Sequence, residues 1–133
     1  MAKISRDDIK VRGFARFKKS FGYSIDGLKY AYKYEQSMLI HIFATILAIL
    51  LGLICQITLI EWCMVFIAIG IVLAGELINT AIEAVVDLVT LEIHPLAKIA
   101  KDCGSAATFV MSVIAAIIGC LVYIPHFIEM LGL

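Results

Sequence analysis

Every residue between Glu35 and Glu61 is uncharged, and no other feature of the chain limits its fold so strongly. Wound as a helix rising about 1.5 Å per residue, the stretch crosses a hydrocarbon core of about 30 Å. Lipid offers no hydrogen bonds to the backbone, so a segment of this kind is a membrane helix. A second apolar run extends from Trp62 to Leu91 and is interrupted only by Glu76, Glu83 and Asp87. A third, after Lys101 and Asp102, carries no acidic or basic charge until Glu129 and is expected to end near Pro125 and His126. The reading is an all-α integral membrane protein, a single unit over 1–133 with membrane helices at 36–60, 62–91 and 103–128.

Composition agrees. Of 133 residues, 62% are hydrophobic and 17% charged, against about 45–50% and about 25% in soluble domains. One small core cannot hide that much apolar surface. Three spans also leave no room for a separate catalytic domain of about 100 residues, so any site must be built from the membrane helices themselves. Cys55, Cys63, Cys103 and Cys120 show no C-x-x-C spacing, and read as apolar filling rather than a zinc or redox site. Met1-Ala-Lys-Ile is followed by charged residues rather than an apolar stretch, so no signal peptide is expected.

Charge is distributed unevenly. Of the 11 Lys and Arg, all but Lys98 and Lys101 lie between Lys3 and Lys33. The positive-inside rule then puts the N-terminus and the connection between the second and third spans in the cytoplasm, with the Gln56–Glu61 turn and the C-terminus outside. Within the N-terminal segment, Phe14, Phe17, Phe21, Ile25, Leu28 and Tyr32 recur at helical spacing, while Arg12, Arg16, Lys18, Lys19 and Lys29 fall mostly on other faces. Residues 1–34 therefore read as an interfacial amphipathic helix drawn to anionic lipid. Gly13, Gly22 and Gly27 are expected to break or bend it. Small residues recur every fourth position at Ala44, Ala48 and Gly52, and again at Ser112, Ala116 and Cys120. Such stripes let helices approach closely, and three short helices with so little interior predict a homo-oligomer.

The second span carries the chemistry. Glu76, Asn79, Glu83 and Asp87 are spaced i, i+3, i+7 and i+11, which at about 100° per residue puts them on one helix face. Each carboxylate at the bilayer centre costs about 2.5–3.5 kcal/mol even on the lenient insertion scale. A helix leaving the membrane near Glu83 accounts for Asp87 as a solvated residue but not for Glu76, which lies deeper. Two chemistries remain: an acidic path for protons or ions in a small channel subunit, or a hard divalent cation held by carboxylates and phosphate oxygens. Glu92, His94, Lys98, Lys101 and Asp102 follow in the connection after this helix, and Glu35 opens the first span. A transport path has little use for lysines, whereas phosphoryl transfer needs carboxylates for the metal and a lysine for phosphate. The usual nucleotide signatures, G-x-x-x-x-G-K-[ST], a kinase Gly-rich loop, H-R-D and D-F-G, are absent.

The run Gly75-Glu-Leu-Ile-Asn-Thr-Ala-Ile-Glu-Ala-Val-Val-Asp87, followed by His94-Pro-Leu-Ala-Lys-Ile-Ala-Lys-Asp-Cys-Gly-Ser105, resembles the bacterial diacylglycerol kinase and undecaprenol kinase family. The likeness extends from Gly13-Phe-Ala-Arg16 through Gly22-Tyr-Ser-Ile-Asp-Gly-Leu28 and Glu35 to the end of the third span. It implies a homotrimeric lipid kinase of the bacterial cytoplasmic membrane, with a surface helix and three spans per chain and active sites shared between protomers. ATP, Mg2+ and a membrane lipid alcohol are the implied ligands, with no nucleic acid. By the same resemblance, Glu76 is the general base that takes the proton from the lipid hydroxyl, with Asn79 beside it, and Glu35 and Glu83 hold Mg2+. Lys101 would contact phosphate. Arg16, Tyr23, Glu92, His94 and Asp102 would surround the nucleotide, Asp87 would support that side, and Ser105 would lie near the lipid.

Leu39 departs from the arginine that many members carry at the corresponding position. On substrate, Ile60-Glu61-Trp62, His94-Pro95-Leu96-Ala97-Lys98 and Tyr123-Ile-Pro125 resemble the undecaprenol branch, and Cys103-Gly104-Ser105-Ala106-Ala107 the diacylglycerol branch. The balance leans toward undecaprenol, with diacylglycerol as the alternative.

Overall fold

A computed structural model describes residues 14–132. Four helices follow in order: α1 Phe14–Tyr34, α2 Gln36–Cys55, α3 Leu59–Val89 and α4 Pro95–Met130, with no strand among the described residues. The last three are each long and apolar enough to cross a membrane. At about 1.5 Å per residue α2 matches a hydrocarbon core of about 30 Å, while α3 and α4 exceed it. Their surplus turns must project beyond the lipid.

The expectations for Arg12 and Gly13 fall outside the described residues. Gly22 and Gly27 do not interrupt α1, which is continuous past both, and a Cβ at either would meet nothing. Each glycine costs a helix only about 1 kcal/mol relative to alanine, too little to break it. The aromatic residues Phe14, Phe17 and Phe21 are exposed along α1, whereas Ala31 near its end is fully buried.

At the α2–α3 turn, Gln56 adopts a left-handed conformation (φ 51°) and its N–H donates to the Gly52 carbonyl. Thr58 then caps α3. Its N–H donates to Glu61 Oε2 at 2.7 Å while its hydroxyl accepts from the Glu61 N–H at 3.4 Å, satisfying two free helix-end donors. The same Glu61 carboxylate lies 3.1 Å from His126 Nε2, and the Tyr123 hydroxyl donates to the Ala48 carbonyl at 2.7 Å. These bonds hold α4 against α3 and α2 around a small core of Cys55, Ile57, Val65, Val122 and Tyr123. The α2 stripe of small residues is used inside the protomer, since a Cβ on Gly52 would lie 2.7 Å from the Trp62 ring. Overpacking there should cost about 1–3 kcal/mol, so Gly52→Val should unfold at a lower temperature in detergent; an unchanged midpoint would contradict this packing. Of the α4 stripe, Ala116 and Cys120 stay exposed.

Most helix ends differ from the sequence reading: α2 stops at Cys55 rather than 60 because Gln56 turns left-handed, and α3 runs Leu59–Val89 rather than 62–91 because Thr58 caps it early. Helix α4 does not end near Pro125 but runs through it to Met130. Nor does α4 begin after the charged residues: it starts at Pro95, so Lys98, Lys101 and Asp102 lie on its first turns rather than in a loop. His94 explains the start, because its Nδ1 accepts from the Leu96 N–H at 3.2 Å and Pro95 suits the first helical position.

Candidate active site

The acidic face of α3 passes from buried to exposed along its length. Glu76 is 4% exposed and Asn79 and Thr80 are buried; Glu83 is half-buried and Asp87 exposed. Solvation therefore accounts for Asp87 but not for Glu76.

Two residues one turn apart on α2 face the Glu76 carboxylate. Ser37 Oγ donates to its Oε1, and His41 Nε2 lies 3.7 Å from its Oε2. The Thr80 hydroxyl is occupied elsewhere, donating to the Glu76 backbone carbonyl at 3.0 Å. Asn79 Nδ2 donates to Glu83 Oε1 at 3.0 Å, which leaves Asn79 Oδ1 buried without a hydrogen-bond partner. Across from it sits Gly104 of α4, where a Cβ would run into Asn79 Oδ1. Gly104 thus lets α4 approach the polar face of α3. Gly104→Ala should push Asn79 off Glu83 and lower turnover, by up to about 10²-fold for a displacement near 1 Å. Wild-type turnover in that variant would contradict the assignment.

Glu35 completes the cluster from the start of α2. It occupies the N-cap position, yet its side chain makes no capping bond. Burial raises its carboxyl above the ordinary value, and the charges of Glu83 and then Glu76 raise it further. Among the described residues no lysine or arginine forms an ion pair with Glu35, Glu76 or Glu83, and His41 is the one basic side chain paired with any of the three. The described residues also contain no group of three ligands able to hold a metal alone. This donor set fits Mg2+, which usually takes one or two carboxylates and completes its shell with substrate phosphates and water.

A second group lies at the α3–α4 connection. Lys101 Nζ donates to Asp87 Oδ1 at 2.6 Å and so joins α4 to α3, and Lys98 pairs with Asp102 one turn away on α4. These side chains, with Glu92 and His94, line a groove of about 310 Å³ whose walls also include Val86, Leu91 and Ile93. Ser105 is exposed beside Gly104. Arg16 and Tyr23 are exposed on α1 and join neither group. Leu39 is 57% exposed. An apolar cavity of about 240 Å³ opens between α2, α3 and α4, with His41 and Tyr123 in its lining. The sequence reading missed Ser37, His41 and the contact made by Gly104. The i, i+4 spacing of Ser37 and His41 in an otherwise apolar run was the available signal.

Residues 22–123 match the prokaryotic diacylglycerol kinase family. The undecaprenol kinase of Bacillus subtilis is 40% identical over 110 residues, covering 83% of this chain and 89% of the relative. The diacylglycerol kinase of Escherichia coli K12 is 35% identical over 115 residues, covering 86% and 94%. That of Helicobacter pylori 26695 is 37% identical over 105 residues, covering 76% and 79%.

Proposed function

Because the chain belongs to the prokaryotic diacylglycerol kinase family and is a multi-pass membrane lipid kinase, we propose that it moves the γ-phosphate of ATP, with Mg2+, to the hydroxyl of undecaprenol. The observation that carries the site assignment is the burial of Glu76 near Glu35 and Glu83, with no lysine or arginine paired to any of the three among the described residues. Glu76 takes the proton of the lipid hydroxyl as that oxygen bonds to the γ-phosphorus, and the bond from phosphorus to the bridging oxygen of ADP breaks. Asn79 keeps Glu83 in register beside it. Glu35 and Glu83 would hold Mg2+, which when bound withdraws charge from the transferred phosphoryl group. Lys101, steadied by Asp87, contacts phosphate, and Glu92, His94 and Asp102 border the nucleotide. Ser105 lies toward the lipid.

Arg16 and Tyr23 reach the nucleotide from the surface helix α1, which lies on anionic lipid with its aromatic residues dipped into the interface. The protein works as a homotrimer in the bacterial cytoplasmic membrane, N-terminus inside and C-terminus outside. Several observations support the oligomer: the exposed small residues of α4, the exposure of Arg16 and Tyr23, and a cluster short of ligands when one chain stands alone. ATP then arrives from the cytosol while the lipid enters sideways from the bilayer.

The undecaprenol choice rests on the Ile60-Glu61-Trp62 and His94-Pro95-Leu96-Ala97-Lys98 segments and on the higher identity to the undecaprenol kinase. Purified protein in mixed micelles holding both alcohols at equal mole fraction, supplied with labelled ATP, should label undecaprenol preferentially. Preference for diacylglycerol by tenfold, about 1.4 kcal/mol in transition-state binding, would reverse the choice and leave the kinase chemistry intact.

A further inference from the structure

Two side chains on α2 converge on one carboxylate of α3, and the chemistry above uses neither. Ser37 donates to Glu76 Oε1, and His41, with 18% of its side chain exposed, presents Nε2 to Oε2 at 3.7 Å. The other groups near Glu76 do not take this place. Glu35 at the head of α2 and Glu83 on the same helix are acids, Asn79 is turned to Glu83, and Thr80 is turned to the backbone. Among the described residues, His41 is the side chain within 4 Å of the Glu76 carboxylate that can carry a positive charge. Its ring also lines the apolar cavity between α2, α3 and α4, so it stands between Glu76 and apolar space.

We propose that His41 is a positioning residue for Glu76, donating from Nε2 to Oε2 while Ser37 holds Oε1, so that the carboxylate stays aimed at the substrate hydroxyl. The separation of 3.7 Å is longer than a hydrogen bond, and such contacts close in the substrate complex. This inference rests on the reading of Glu76 as the base.

The test compares His41→Ala and His41→Gln in the full-length protein, with MgATP and a lipid alcohol in mixed micelles. His41→Ala should lower kcat by about 10- to 100-fold, the cost of a base misaimed by about 1 Å, with KM for MgATP and lipid unchanged. His41→Gln, whose amide can donate to the same oxygen, should recover most of that loss, and added imidazole should raise the His41→Ala rate. Adding His41→Ala to Glu76→Gln should cost nothing further. A wild-type kcat in His41→Ala, a change confined to KM, or equal impairment by Ala and Gln would overturn the inference. An inactive Glu76→Gln with a fully active His41→Ala refutes this role alone, whereas a fully active Glu76→Gln refutes the base assignment beneath it.

Discussion

Glu76→Gln should fold and bind MgATP as the wild type does, yet turn over about 10²–10⁴-fold more slowly, the usual worth of a general base. The substitution removes the proton acceptor and the oxygen that faces His41, and leaves the other bonds in place. Glutamine has nearly the same volume, its carbonyl can still accept from Ser37, and the backbone bond from Thr80 is untouched. Steady-state transfer rates together with calorimetric MgATP binding separate the two properties. A loss of binding equal to the loss of rate would mean that Glu76 belongs to the nucleotide or metal site instead.

The second large effect is expected at Glu35 and Glu83. Glu35→Ala and Glu83→Ala should each weaken apparent Mg2+ affinity by about 10- to 100-fold, the range for disturbing a metal site by one supporting group. A Mg2+ titration of activity at saturating lipid measures it, and unchanged half-saturation would remove either residue from the metal site. The same cluster makes an opposite prediction for stability in chelator. The Glu35 carboxyl is held above its ordinary value by burial, then by Glu83 and Glu76, so ionising it disfavours the folded protein. That penalty is absent at pH low enough for the carboxyl to stay protonated in both states. It grows as pH rises from the unfolded value through the raised folded one. Glu35→Gln should therefore melt at a higher temperature than the wild type in metal-free neutral buffer, with the gap closing in acid. A lower melting temperature for the variant at neutral pH would contradict the repulsion.

What could be read from the sequence followed from periodicity and charge. The uncharged run between Glu35 and Glu61 gave one membrane helix, and the 3.6-residue period put Glu76, Asn79 and Glu83 on one face of another, as the geometry has them. Helix ends were less legible. His94-Pro95 is a good start signal for α4, but the charges at Lys98, Lys101 and Asp102 drew the boundary past them. Pro125 suggested an end, yet a membrane helix tolerates a proline because neighbouring groups satisfy the freed carbonyl. The partners of Glu76 were hidden for another reason. Ser37 and His41 are lone polar residues in an apolar helix, and their meaning depends on which face of α2 packs on α3, a tertiary fact. Gly104 was visible only as part of a family-like string, and its close approach to Asn79 is likewise a matter of packing.

One Mg2+-dependent site at Glu76 is proposed to move phosphate from ATP to a lipid hydroxyl. Its most direct measurement follows label from the γ-phosphate of ATP, using the purified protein in mixed micelles of lipid alcohol with Mg2+, with chelator, and with Glu76→Gln. Label should enter the organic phase, one phosphate per ADP formed, with Mg2+ and the wild-type chain, and almost none should do so in the other two arms. Label that stays in water, or that enters the lipid at the same rate in all three arms, would contradict it.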